Sequence, residues 1–159
     1  MRSLLILFFI NAAIFANTYD FDENKFVFAI GNTFHKVGKI TYTKEKVTIT
    51  YTHPKYKQIV KEDGNISIEG SSGKKYYLKD RALMHTKAFI DIMIRLGEYD
   101  ELKENKDFNV CKEGEKYVVT FKGEMKRMLP KAEVHTNGMK VKSFKLFMHN
   151  GDTLEIVKR

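Results

Sequence analysis

Apolar residues alternate with polar ones along several short stretches of the sequence. In the first half the apolar positions are Ile40, Tyr42, Val47, Ile49, Tyr51, Ile66 and Ile68, with Thr, Lys, Ser or Asn between them. A period of two is typical of antiparallel strands that bury one face. The second half repeats the pattern from residue 117 to residue 156. The sequence therefore predicts a meander of antiparallel strands.

Turn residues separate these stretches. Pro54 follows Tyr51, and Asp63-Gly64-Asn65 is a strong hairpin signal. Two further turns are predicted at residues 70–73 and 150–152. Residues 26–34 are predicted to form an opening strand, although residues 26–30 could equally form a short helix.

One segment has helical rather than strand spacing. Its apolar residues are Leu83, Phe89, Ile90, Ile92, Met93 and Leu96. Asp80 can cap the start of a helix over residues 82–96, and Gly97 ends it. A weaker helical turn is predicted at residues 99–104. Strands on both sides of a helix indicate an α+β protein, with an antiparallel sheet curled around or covered by helices.

The N-terminus has the features of a secretion signal. Arg2 precedes a short apolar run at residues 4–10, and small residues end at Ala16. A membrane-spanning helix needs about 20 apolar residues, so residues 1–16 are predicted to be a cleaved signal peptide rather than a retained anchor. Cys111 is the only cysteine, so no internal disulfide can form. Residues 17–159 are predicted to form a single domain stabilised by one hydrophobic core.

The chain is basic, with a formal net charge of +8. This charge favours acidic partners or anionic lipid headgroups, but the lysines are scattered, which is equally typical of solvated strand faces. A nucleic-acid partner is not expected in an exported protein. Tyr76 and Tyr77 could imitate a stacking platform, but we interpret them as strand aromatics that pack a core.

The sequence offers no recognisable catalytic or metal-binding motif. None of its serines lies in a Gly-x-Ser-x-Gly elbow. The five histidines lie 14 or more residues apart and form no zinc-ligand spacing. We expect a protein that is not an enzyme and that needs neither a metal nor a cofactor.

Several segments together resemble the outer-membrane lipoprotein carrier (LolA-like) family. In the first half these are residues 37–42, residues 47–60 with their His53-Pro54 and Gln58, and Asp63-Gly64. In the second half they are residues 89–108 and the hairpin at residues 141–156. The likeness covers most of residues 37–157. The chain departs from the family at Lys44-Glu45-Lys46, where the family has Arg-Pro before its aromatic residue, and it lacks tryptophan.

The resemblance implies a strongly curved antiparallel sheet, an incomplete β-barrel, with a helical lid. It also implies a monomeric periplasmic carrier that shields the acyl chains of lipoproteins or another lipid on the way to the outer membrane. An inner-membrane donor complex and an outer-membrane acceptor would be its partners. The departure at Lys44-Glu45-Lys46 puts the family's opening cycle in question for this chain.

The candidate wall of the hydrophobic cavity comprises Ile40, Tyr42, Val47, Ile49, Tyr51, Ile66, Ile68, Val119 and Phe121 from the sheet, with Phe89 and Met93 from the helical lid. The same alternation also fits a packed core without a cavity. The alternative function is therefore a non-catalytic periplasmic interaction module with a filled core and a basic surface.

Overall fold

Eleven strands in the described part of the chain form one antiparallel sheet. The structure is a computed structural model, and it describes residues 16–97, 108–127, 129–138 and 140–159. Two predictions, the signal peptide before Ala16 and the helical turn at residues 99–104, lie outside the described residues. No helix in the described ranges has both the length and the apolar character needed to cross a membrane.

The strands and helices follow one another in a simple order. The first half contains β1 (Asn17–Val27), a 3-10 turn (Phe28–Ile30), β2 (Asn32–Tyr42), β3 (Lys46–His53), β4 (Lys57–Glu62), β5 (Asn65–Gly70) and β6 (Lys75–Tyr77). The second half contains α1 (Asp80–Gly97), β7 (Phe108–Glu113), β8 (Lys116–Phe121), α2 (Gly123–Lys126), β9 (Lys131–Asn137), β10 (Lys140–Phe147) and β11 (Thr153–Lys158).

The sheet is built from two meanders joined to one central strand. Its order is β6-β5-β4-β3-β2-β1-β11-β10-β9-β8-β7, so β1 pairs with β2 on one side and with β11 on the other. Strands β6 and β7 are the two edges, and the sheet is open rather than closed. The predicted antiparallel meander and the α+β class are therefore confirmed.

One face of the sheet is buried against α1, and we call it the inner face. Ile40, Ile49, Ile59 and Ile68 lie directly opposite one another on strands β2 to β5. All four are buried, as are Phe121, Val134, Phe144 and Ile156 from the other half of the sheet. Cross-strand apolar pairs of this kind are the unit that stabilises a sheet.

Helix α1 packs against the inner face through its second half. Ile90 and Met93 are fully buried. The Tyr19 hydroxyl donates a hydrogen bond to the backbone oxygen of Met93, and burial raises the pKa of Tyr19 well above its usual range. Lys61 pairs with Asp91 at 2.8 Å on the surface of the helix. The predicted helix is confirmed, and it begins at Asp80 and ends at Gly97.

The hairpin between β4 and β5 turns as the sequence predicts. Asp63 and Gly64 both have positive φ, 50° and 76°. A two-residue hairpin needs this backbone because its twist matches that of the flanking strands. Asp-Gly fits because aspartate tolerates the left-handed region and glycine adopts it freely.

Two predictions differ from the structure. The opening strand begins at Asn17 rather than at residue 26. Residues 28–30 form a 3-10 helix after it, which agrees in part with the alternative of a short helix at residues 26–30. Tyr76 and Tyr77 do not pack a core, because they lie on the three-residue edge strand β6 and are 52% and 61% exposed. A strand at the sheet edge has a neighbour on one side only, which leaves its aromatic rings in solvent.

The turn between β1 and β2 exposes apolar side chains. Phe28 and Ile30 are 65% and 64% exposed. The backbone N–H of Phe28 donates to Asp152 Oδ1 at 3.0 Å, and the base of the Phe28 side chain lies beside Gly151. The apolar turn is thus fixed to the β10–β11 hairpin.

Gly38 is a position where the packing leaves no room for a side chain. A Cβ atom there would lie 2.5 Å from Cζ of Phe21 and 3.0 Å from the backbone oxygen of Thr50. Phe21 is fully buried and cannot move into solvent. Gly38→Ala is therefore expected to lower the free energy of unfolding by about 1–3 kcal/mol, measured by urea denaturation.

Gly70→Ala is the matched control for this prediction. A Cβ atom at Gly70 would meet nothing within 4 Å, so this variant is expected to unfold at the wild-type urea concentration. Equal stability of the two variants would contradict the packing described around Phe21.

Candidate functional site

A cleft of about 620 Å³ lies between the inner face and the first half of α1, and we call it the inner cleft. Its apolar lining comes from both halves of the sheet, from the helix, and from the chain that follows α2. These residues are Tyr51, Ile59, Ile68, Ala88, Phe89, Leu129, Leu146, Met148 and Leu154. The volume falls within the range of about 300–1,000 Å³ that is usual for small-molecule sites.

A second cleft of about 510 Å³ adjoins the first and extends toward the β6 edge; we call it the edge cleft. The two clefts share Lys36, Tyr51, Lys57 and Ile68. The exposed ring of Tyr76 lines the edge cleft. At these shared residues the protein could contact both the apolar part of a ligand and a polar group attached to it.

Glu23 is the one carboxylate among the described residues that line the inner cleft, and it is buried. The Tyr51 hydroxyl donates to Glu23 Oε2 at 2.5 Å. Lys36 Nζ lies 2.7 Å from Glu23 Oε1 and donates to it. Each carboxylate oxygen therefore has a donor, which is the condition for burying a charge in a protein.

Strand pairing brings these groups together. Glu23 is opposite Lys36 on β1 and β2, and Tyr51 is opposite Lys57 on β3 and β4. The Tyr51 ring meets the buried Phe21 ring edge-on at a centroid distance of 5.6 Å. Burial, followed by the charge of Glu23 and its hydrogen bond, raises the pKa of the Tyr51 hydroxyl well above its usual range, so this group remains a donor.

Lys57 lies at the junction of the two clefts without a carboxylate of its own. In the part of the chain that the structure describes, no carboxylate oxygen lies within 4.0 Å of its Nζ. Its Nζ is 5.9 Å from the centroid of the Tyr51 ring. Burial lowers the pKa of Lys57, as does the charge of Lys36, while Glu23 acts in the opposite direction. The surroundings of Lys57 thus make its charged form less favourable than it is in water.

The residues predicted to line a cavity fall into three groups in the structure. Tyr51, Ile68 and Phe89 line the inner cleft. Phe121 lines a smaller cleft of about 230 Å³ on the other side of α1. The remaining seven are buried in the hydrophobic core and line none of these clefts: Ile40, Tyr42, Val47, Ile49, Ile66, Met93 and Val119.

The polar residues of the site were not predicted from the sequence. Glu23 follows Tyr19 and Phe21 at a spacing of two, so all three side chains lie on the inner face of β1. A carboxylate in phase with buried aromatic residues is the signal that could have identified Glu23. Lys57 gives no such signal, because alternating lysines are common on solvated strands.

The inner cleft carries two histidines, His85 and His149, but its described lining includes neither serine nor cysteine. His149 Nε2 lies 3.0 Å from the backbone oxygen of Lys126. His85 Nε2 is buried and has no hydrogen-bond partner among the described atoms. Within the described ranges, no group of three or more His, Cys, Asp or Glu residues is placed to hold a metal ion.

Comparison with solved structures finds matching chains. The chain is similar to the crystal structure of a domain from Vibrio parahaemolyticus assigned as an outer membrane lipoprotein-sorting protein, with 4% sequence identity and a TM-score of 0.41. The match covers 90% of this chain and 83% of that domain. No protein-family model matches the sequence. No curated protein matches it either.

Proposed function

We propose that this protein is a periplasmic carrier that shields the acyl chain of a lipoprotein, or of another lipid, in the inner cleft. The observation that supports the proposal most directly is an apolar cleft of about 620 Å³ between the sheet and α1. Phe89 covers it from the helix, and Ile68 and Leu146 lie on opposite halves of the sheet. A guest chain would contact all three elements.

The physical advantage of such a site is removal of apolar surface from water. Transfer of one methylene group from water into an apolar site is favourable by roughly 0.8 kcal/mol. The competing host for a lipid is a membrane, however, so transfer into the protein is nearly balanced. We therefore propose that donor and acceptor partners at the inner and outer membranes give the transport its direction.

Binding of a neutral acyl probe tests the proposal. Delipidated protein is titrated with the methyl ester of dansyl-undecanoic acid, and dansyl fluorescence reports entry into an apolar site. We expect saturable binding with a Kd on the order of micromolar, given the efficiency usual for ligands of this size. Folded protein that leaves the fluorescence unchanged would rule out an acyl carrier.

Phe89→Gln is expected to weaken binding of this ester about tenfold, with little change in the unfolding transition. Phe89 is half-buried and lines the cleft, so the substitution replaces apolar contact with an amide without adding charge. Affinity comes from the fluorescence titration, and stability from thermal unfolding.

Met84→Gln is the matched control, because Met84 is on the same helix and is 40% exposed outside the inner cleft. Its affinity should equal that of the wild type. If both variants bind the ester as the wild type does, the probe does not occupy the inner cleft.

The alternative is an interaction module with a filled core and a basic surface. The observation in its favour is that Ile90 and Met93 are fully buried where the second half of α1 packs against the inner face. Transfer of a labelled lipid between two vesicle populations separates the two functions. A carrier accelerates the transfer, whereas an interaction module leaves its rate unchanged.

A further inference from the structure

We propose that the ligand of the inner cleft is an anionic amphiphile, whose carboxylate or phosphate group is bound by Lys57 and Lys36 where the inner and edge clefts meet. This inference rests on the proposed function, because it assigns the head group of the molecule whose acyl chain occupies the inner cleft.

The charge of the lining supports an anionic ligand. Four of its side chains are basic, Lys25, Lys36, Lys57 and Arg127, and among the described lining residues only Glu23 is acidic. The edge cleft adds Lys55 and Lys74 and no described carboxylate. A cleft with walls of low dielectric constant concentrates the field of such charges.

The hydrogen-bond geometry separates the roles of the two central lysines. Glu23 is held by Tyr51 and Lys36 at 2.5 and 2.7 Å, so its two oxygens already have donors. Lys36 is therefore partly neutralised, and its ammonium is kept in place beside the Tyr51 ring at 5.2 Å. Lys57, whose Nζ lies 5.9 Å from the centroid of the same ring, has no described carboxylate partner and can pair with an incoming anion.

The surroundings of Lys57 would be improved by an anionic ligand. Burial, followed by the charge of Lys36, lowers the pKa of Lys57. An anion placed between Lys57 and Lys36 would relieve this repulsion and form charge-assisted hydrogen bonds.

The position also suits an amphiphile rather than a free anion. Ile68 and Tyr51 line both clefts, so the apolar surface continues directly up to Lys57. A chain that extends along Phe89 and Leu146 could therefore place its head group at this junction.

Two probes that differ only in charge test the inference. Dansyl-undecanoic acid carries a carboxylate at neutral pH, and its methyl ester does not. We expect the wild type to bind the acid about tenfold or more tightly than the ester, since hydrogen bonds to charged groups exceed neutral ones. Raising the salt concentration should reduce this preference only partly, because the site is half-buried.

Lys57→Gln should abolish the preference for the acid, so that acid and ester bind with similar Kd values, and it should not lower the melting temperature. The matched control is Lys142→Gln, which removes the same charge from an exposed position on β10 outside both clefts. It should keep the full preference. Dodecyl phosphate should displace the acid at far lower concentrations than inorganic phosphate.

The outcomes distinguish the inference from the proposed function. Equal binding of acid and ester by the wild type overturns the anion site and leaves an acyl carrier. If a folded Lys57→Gln protein binds neither the acid nor the ester, the anion site is also contradicted, because Lys57 would then be needed for the shape of the cleft. If inorganic phosphate displaces the acid as effectively as dodecyl phosphate does, the inference that the ligand is an amphiphile is wrong. Failure of the wild type to bind either probe removes the proposed function and the inference together.

Discussion

Met93→Asp is expected to leave the protein largely unfolded. Met93 has no exposed surface and lies between α1 and the inner face. A carboxylate there loses its hydration without gaining a donor, which we expect to cost more than about 4 kcal/mol, out of a total stability of roughly 5–15 kcal/mol for a domain. Circular dichroism and urea denaturation measure the effect.

Met84→Asp is the control on the same helix. Met84 is 40% exposed, so its variant should lose only the small amount expected for aspartate in a helix. A Met93→Asp protein that unfolds at the same urea concentration as Met84→Asp would show that α1 is not part of the core.

Phe21→Ala is expected to lower the free energy of unfolding by about 3–5 kcal/mol, the cost of removing a buried aromatic ring from a core. Phe21 is fully buried on the central strand β1. Its ring meets the rings of Tyr19 and Tyr51 edge-on, and it covers Gly38. These neighbours cannot collapse into the space left behind, since they belong to paired strands. Urea denaturation gives the value.

Phe34→Ala serves as the control, because Phe34 lies on β2 and is 46% exposed. Its loss should change the stability by less than about 1 kcal/mol. If Phe21→Ala proved as stable as Phe34→Ala, the packing of the three rings at the centre of the sheet would be wrong.

The period-two pattern predicted most of the sheet because one face of each strand is buried. Where that pattern was clear, as at Val47, Ile49 and Tyr51, the strand and its buried face were both correct. The interpretation of Tyr76 and Tyr77 as aromatics that pack a core was wrong, because both rings are exposed on the edge strand β6.

The site was harder to predict than the fold. Alternation identifies the residues of the inner face, but it does not say which of them the helix covers. Met93 is buried in the core and Phe89 lines the cleft, although both were predicted to line the cavity from the helical lid. The difference depends on where α1 crosses the sheet, which is set by contacts distant in sequence, such as that between Tyr19 and Met93.

The polar cluster depends even more on tertiary structure. Glu23, Lys36, Tyr51 and Lys57 come from four different strands, and only the register of the sheet places them side by side. No local motif encodes this arrangement. In our proposal, this arrangement makes the inner cleft suited to an apolar chain with an anionic end, rather than to any apolar chain.

The most direct test of acyl binding in the inner cleft is photo-crosslinking. Delipidated protein is irradiated with a fatty acid that carries a diazirine on its chain, and the modified peptides are identified by mass spectrometry. We predict crosslinks in the peptides that contain Ile68, Phe89 and Leu146, which line the inner cleft. Crosslinks confined to the exposed turn around Phe28 and Ile30, or none at all, would contradict the account.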